Sequence, residues 1–144
     1  MKLLVAFDGS GGARAALREA AALTRETGAP VVLLHVLNPL LDAADVVAPT
    51  TEVAMVVVTE RARAALAAAV SDAALNANDA TCEVVEVRRG EDCAEAIERV
   101  AAQHGATMIV ISSRHVASVA GALLGSVTDH VLRNASCPVL VVRE

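Results

Sequence analysis

Two stretches of this chain carry residue types at spacings that could do chemistry. The longer, Ser112 to Val131, reads SSRHVASVAGALLGSVTDHV, the layout of a strand end, a loop and the start of a helix. Free backbone N–H groups and the positive end of the helix dipole make such a start a natural anion site. Gly125, Ser126, Val127 and Thr128 open the helix, and the hydroxyls of Ser126 and Thr128 add donors. In the loop, Ser112 brings a further hydroxyl, Arg114 a cation able to reach a phosphate, and His115 a donor when protonated. The shorter stretch, AFDGSGG from Ala6 to Gly12, ends an apolar run in a turn where Ser10 or Asp8 can cap a following helix.

Other chemistries find less support. A serine nucleophile assisted by His115 and Asp8 lacks the G-x-S-x-G elbow, and neither a P-loop ending in GK[ST] nor a G-x-G-x-x-G fingerprint is present. No spacing of His, Cys, Asp or Glu reads as a metal site, and no residue is assigned a catalytic role. Cys82, Cys93 and Cys137 are odd in number and lack C-x-x-C spacing, which fits a reducing compartment where each packs as a small apolar residue. His35, inside an apolar run, reads as a hydrogen-bonded core residue, and His104 and His130 sit on helices without assigned chemistry.

For the two stretches to meet, the surrounding elements must bring strand ends together. Lys2 to Phe7, Val31 to Leu37, Thr81 to Val87 and Met108 to Ser112 read as strands, with VLVV after Pro138 as a fifth. The third is the most polar and belongs at an edge. Helices are predicted over 13–27, over 51–75, from the Asp92 cap to Gly105, and from Gly125 to Asn134. Leu17, Ala20, Ala21 and Leu23 form one stripe of the first, and Ile97, Val100, Ala101 and His104 one face of the third. Asn38 to Pro49, with two prolines and two aspartates, reads as a loop, and the β-branched Val56 to Val58 work against the first half of the second helix.

Strands alternating with helices predict one doubly wound α/β domain over 1–144, a parallel sheet with helices on both faces. The ligand crevice of such a sheet opens at the carboxyl ends of the strands, where the winding reverses. That places Asp8, Gly9 and Ser10, then the backbone around Val36 to Asn38, then Ser112 to His115, around one opening, with Ala6, Phe7 and Ile111 at the strand ends beside them.

A chain of 144 residues buries roughly two thirds of its unfolded surface without a metal or disulfide. With one aromatic residue, its core must be assembled from small aliphatic side chains. A net charge of −5 without a basic cluster argues against nucleic acid. The apolar runs fall short of the ~20 residues needed to span a bilayer, and Met1 leads straight into a strand, so a cytoplasmic protein with no membrane association is expected.

LLVAFDGS at the start, LLHV in the second strand and GSVTDHVLRNASCPVLVV at the end carry a resemblance to the universal stress protein family along essentially the whole chain. The resemblance implies five parallel strands in the order 3-2-1-4-5, with the switch between the first and fourth. It also implies a candidate adenine-nucleotide site: Asp8 near the ribose, Val36 at the adenine, and Gly125, Ser126 and Thr128 at the phosphates. The ATP-binding branch of the family carries a glycine, two residues, a second glycine, nine residues, then glycine followed by serine or threonine. Here the first two glycine positions hold Ser112 and His115. If both need an unusual backbone conformation, their replacement costs ~1–3 kcal/mol each, at about tenfold in affinity per 1.4 kcal/mol.

The expectation is therefore a stress-response protein with a degenerate crevice, weak or absent ATP binding and no turnover, acting through interactions. The alternative is an adenine-nucleotide sensor in which the altered loop still holds ATP with Mg²⁺, ADP or AMP; slow ATP hydrolysis comes third. Val139, Leu140, Val141 and Val142 would form an apolar edge strand, which proteins cover or pair. The family resemblance implies pairing with a second copy.

Overall fold

The computed structural model describes residues 1–113 and 125–143. The chain runs β1 (Leu3–Ala6), α1 (Gly11–Thr27), β2 (Val31–Leu37), α2 (Pro39–Asp42), α3 (Thr51–Asp72), β3 (Ala80–Glu86), α4 (Cys93–His104), β4 (Met108–Ser113), α5 (Ser126–Asn134) and β5 (Val139–Arg143). The five strands form one sheet in the order β3-β2-β1-β4-β5, every pair parallel. The expected architecture and strand order are both present.

The central strand explains the layering. Leu3, Leu4 and Val5 are fully buried, and because side chains alternate across a strand, Leu3 and Val5 enter one core while Leu4 enters the other. The first core packs the alanine-rich stripe of α1 (Ala13, Ala16, Leu17, Ala20) with Leu66 and Ala69 of α3. The second packs Ile97, Val100 and Ala101 of α4 with Val131 of α5. Small side chains let the helices lie close to the sheet, as a core with a single aromatic requires. That aromatic, Phe7, is buried with the Arg14 guanidinium 6.0 Å from its ring centroid, near enough for a cation–π contact.

Helix ends follow local chemistry. Ser10 caps α1, its hydroxyl accepting the Ala13 N–H, and Gly28 ends it in the left-handed region at φ 73°, where a side chain would be strained. Asp92 and Glu95 form a reciprocal capping box at the start of α4.

Three expectations are corrected. The segment read as a loop after β2 contains α2, because Asn38 caps it and Pro39 occupies its first turn, where a missing N–H costs nothing. The second long helix stops at Asp72, three residues early, and Ala74 follows at φ 54°. Cys82 does not pack as an apolar residue: it is exposed, because β3 is the sheet's outer strand and only lightly covered.

Candidate functional site

The carboxyl ends of β1, β2 and β4 open beside one another, and the first turns of α4 and α5 face the opening. Ala6, Phe7, Asp8, Val36, Ile111, Ser112, Gly125, Ser126, Val127 and Thr128 all line this crevice, whose volume is about 380 Å³. Arg114 and His115 lie outside the described residues. Asn38, expected at the opening with Val36, lines it too, whereas sequence reasoning missed Leu41 and Asp42 on α2, and Cys93 and Ile97 on α4. The Asp92 capping signal could have found the last two, since a helix beginning there turns its first face toward the strand ends.

Ala6, Leu34, Val36, Ile97 and Ile111 give the crevice an apolar slot. Its geometry is held from behind. The Nδ1 of His35 lies 2.8 Å from the Phe7 carbonyl, which can only accept, so Nδ1 carries the proton and ties the end of β1 to β2. At the turn after β1, the Asp8 carboxylate accepts the Ser10 N–H at 2.9 Å across Gly9, whose φ of 84° favours glycine. The α2 turn is fixed reciprocally: Asn38 Oδ1 accepts from Leu40 N–H, and Asp42 Oδ2 accepts from Asn38 N–H at 2.6 Å.

The start of α5 also lines the crevice. Gly125 is its N-cap and, among the described residues, no side chain caps the first turn; the leading N–H groups have no intrahelical partner. Ser126 is exposed at the crevice. Thr128 is buried, and its hydroxyl donates to the Ser112 carbonyl at 2.8 Å, which fastens α5 to the end of β4. Ser112 is the penultimate residue of β4, and among the described residues Ala74 is the sole non-glycine at positive φ. The serine at the first glycine position therefore imposes no backbone strain.

The charged residues among the described walls are Asp8 and Asp42, both acidic. Their influence reaches Cys93, half-buried at the first position of α4: burial pushes its thiol pKa up, and Asp92, Asp8 and Asp42 push it further. The thiol is thereby kept protonated and poorly nucleophilic.

Behind the crevice, Glu91 clamps the β3–α4 connection. Both its oxygens receive the Arg99 guanidinium at 2.9 Å, and Oε1 also accepts the Arg88 N–H at 3.0 Å. The Arg99 hydrogen bonds hold the Glu91 carboxyl at about 2, against some opposition from burial. Asp92, Glu95 and His130 come together where α4 meets α5, a grouping invisible to linear spacing. Its members are already engaged, the two carboxylates in the capping box and His130 Nδ1 with Asp92 at 3.1 Å.

The model of the universal stress protein family matches residues 1–143. A universal stress protein from Thermus aquaticus, encoded in the 3' region of a QAH/OAS sulfhydrylase, is 33% identical over 98% of this chain and 97% of its own length. Among solved structures, a universal stress protein family member from Burkholderia pseudomallei is 29% identical, with a TM-score of 0.71 over 97% of this chain and 93% of that one. The universal stress protein UspA of Lactobacillus plantarum is 25% identical, with a TM-score of 0.75 over 99% and 97%. Among the described residues no helix is long and apolar enough to cross a membrane. With the family pattern spanning the chain and the strand order it implies observed in the sheet, the chain belongs to the universal stress protein family.

Proposed function

We propose that the chain is a cytoplasmic, homodimeric regulatory protein of the stress response, with a crevice that receives an adenine nucleotide, holds a triphosphate weakly and performs no turnover. Adenine would enter the apolar slot at Val36, the ribose would meet Asp8, and phosphate would meet Ser126 and the leading amides of α5. The observation that carries this reading is the crevice itself, where an apolar slot, Asp8 and the start of α5 line one opening at the carboxyl ends of the strands. Mg²⁺ would accompany ATP and offset the charge of its phosphates.

Universal stress proteins of this fold have been solved with cAMP and, from Archaeoglobus fulgidus, with dAMP, at 22% and 24% identity to this chain. At that distance they speak for the fold alone. A second reading, a nucleotide sensor that still grips ATP, is favoured by the unstrained backbone at Ser112.

Titration calorimetry with ATP plus Mg²⁺, and separately with AMP, tests both. We expect ATP to bind near or above about millimolar. Asp8→Ala and Ser126→Ala should each remove what nucleotide-dependent thermal stabilisation there is. Micromolar ATP binding would replace the first reading by the second, and stabilisation unchanged in both variants would remove nucleotide from this crevice.

A further inference from the structure

The surface around the start of α3 is more apolar than a helix facing water requires. Among the described residues, the exposed large hydrophobic side chains are concentrated in one segment: Leu40, Leu41, Val47, Val53 and Val56, with only Met1 and Leu132 elsewhere. Val53 and Val56 stand one turn apart on α3, 45% and 63% exposed, although β-branched residues weaken a helix unless packing rewards them. Exposed apolar side chains gathered in one segment are the material of an interaction surface.

Beside them runs an open groove of about 480 Å³ between α2, α3 and the end of β3. Pro39, Met55 and Val56 supply its apolar lining. Glu52, Glu60 and Glu86 supply its charge, and no lysine or arginine is among its described lining residues.

We propose that this groove docks an amphipathic helix of a partner protein, one with lysine or arginine along the edges of its apolar face. Its charge selects among occupants. A second copy meeting this face with its own would set the same three glutamates against one another, and an anionic membrane surface would be repelled by them. A basic amphipathic helix satisfies both the apolar floor and the acidic rim. From Thr51 to Glu60 the groove follows about 14 Å of α3, enough for roughly two and a half turns of a partner. The short helix α2 stands between the two sites: Pro39 lines the groove, while Leu41 and Asp42 line the crevice.

The probe is a synthetic helix of about 18 residues with leucines at i, i+3, i+4 and i+7 and flanking lysines, compared with a twin carrying glutamates in place of the lysines. Fluorescence anisotropy should give saturable binding of the lysine peptide and none of its twin. The double variant Val53→Ser/Val56→Ser, which keeps every charge, should bind about tenfold more weakly. Glu52→Lys/Glu60→Lys should reverse the preference between the peptides. Undiminished lysine-peptide binding by the serine variant would reduce the effect to diffuse attraction toward an acidic protein and overturn the proposal. It would equally be overturned by self-association lost in that variant, which assigns the face to a second copy, or by binding of the unaltered protein to phosphatidylserine vesicles that the variant loses.

Discussion

The Thr128 hydroxyl settles how the proposed phosphate end of the crevice is built. A threonine two positions into a helix can offer its hydroxyl to an anion or spend it inside the protein, and at 4% exposure, 2.8 Å from the Ser112 carbonyl, it is spent. Thr128→Val keeps the shape and removes the donor, leaving the part-buried Ser112 carbonyl short of a partner. It should cost about 1–2 kcal/mol in urea denaturation, with Thr128→Ser recovering most of it. An unchanged midpoint would show the bond to be dispensable. The residue type was legible in the sequence and its role was not, because the partner lies sixteen residues away across a loop. His35 was legible for the opposite reason: an imidazole in an apolar strand must find a nearby backbone partner, and the Phe7 carbonyl supplies it.

Among the elements, the connection from β3 to α4 is the one where charge does the fastening, and this makes it sensitive to acid. Glu91, 13% exposed at its side chain, is held at about 2 by Arg99, below the ordinary 4.5. A carboxyl lowered on folding contributes its full stability above the unfolded value of 4.5 and loses it as pH falls toward about 2. Glu91→Gln should therefore be less stable than the unaltered protein at pH 7 by about 1 kcal/mol, a figure reduced for solvent screening. The gap should close as denaturation is repeated from pH 5 down to about pH 2. A gap independent of pH would mean that Glu91 acts by packing. At this scale the sequence was largely readable: apolar runs located all five strands, and Gly28 and Gly105 marked the helix ends where φ turns positive. What escaped was α2, because Asn-Pro ends a strand and begins a helix with the same two residues, and composition cannot say which.

Across the whole molecule the two edges of the sheet are unlike. β3 presents Thr81, Cys82 and Glu86 to solvent, whereas β5 is VLVV followed by Arg143, each of the four apolar residues half-buried. The Pro138 carbonyl accepts from Ile109 N–H on β4, and backbone groups alternate in direction along a strand. Those of Leu140 and Val142 therefore also face β4, while the N–H and C=O of Val139 and Val141 point outward, unpaired by any strand among the described residues. A twofold copy could exchange bonds with these residues and convert an apolar edge into a continuous sheet of ten strands, which is the basis for proposing a homodimer. Proline is tolerated at an edge position whose N–H faces away from the sheet. Val141→Pro should thus leave circular dichroism and the ladder to β4 intact, while sedimentation equilibrium falls from twice the chain mass to one. A variant that stays dimeric would move the interface off β5, and an unaltered protein that is already monomeric would leave that edge protected by something other than a second copy.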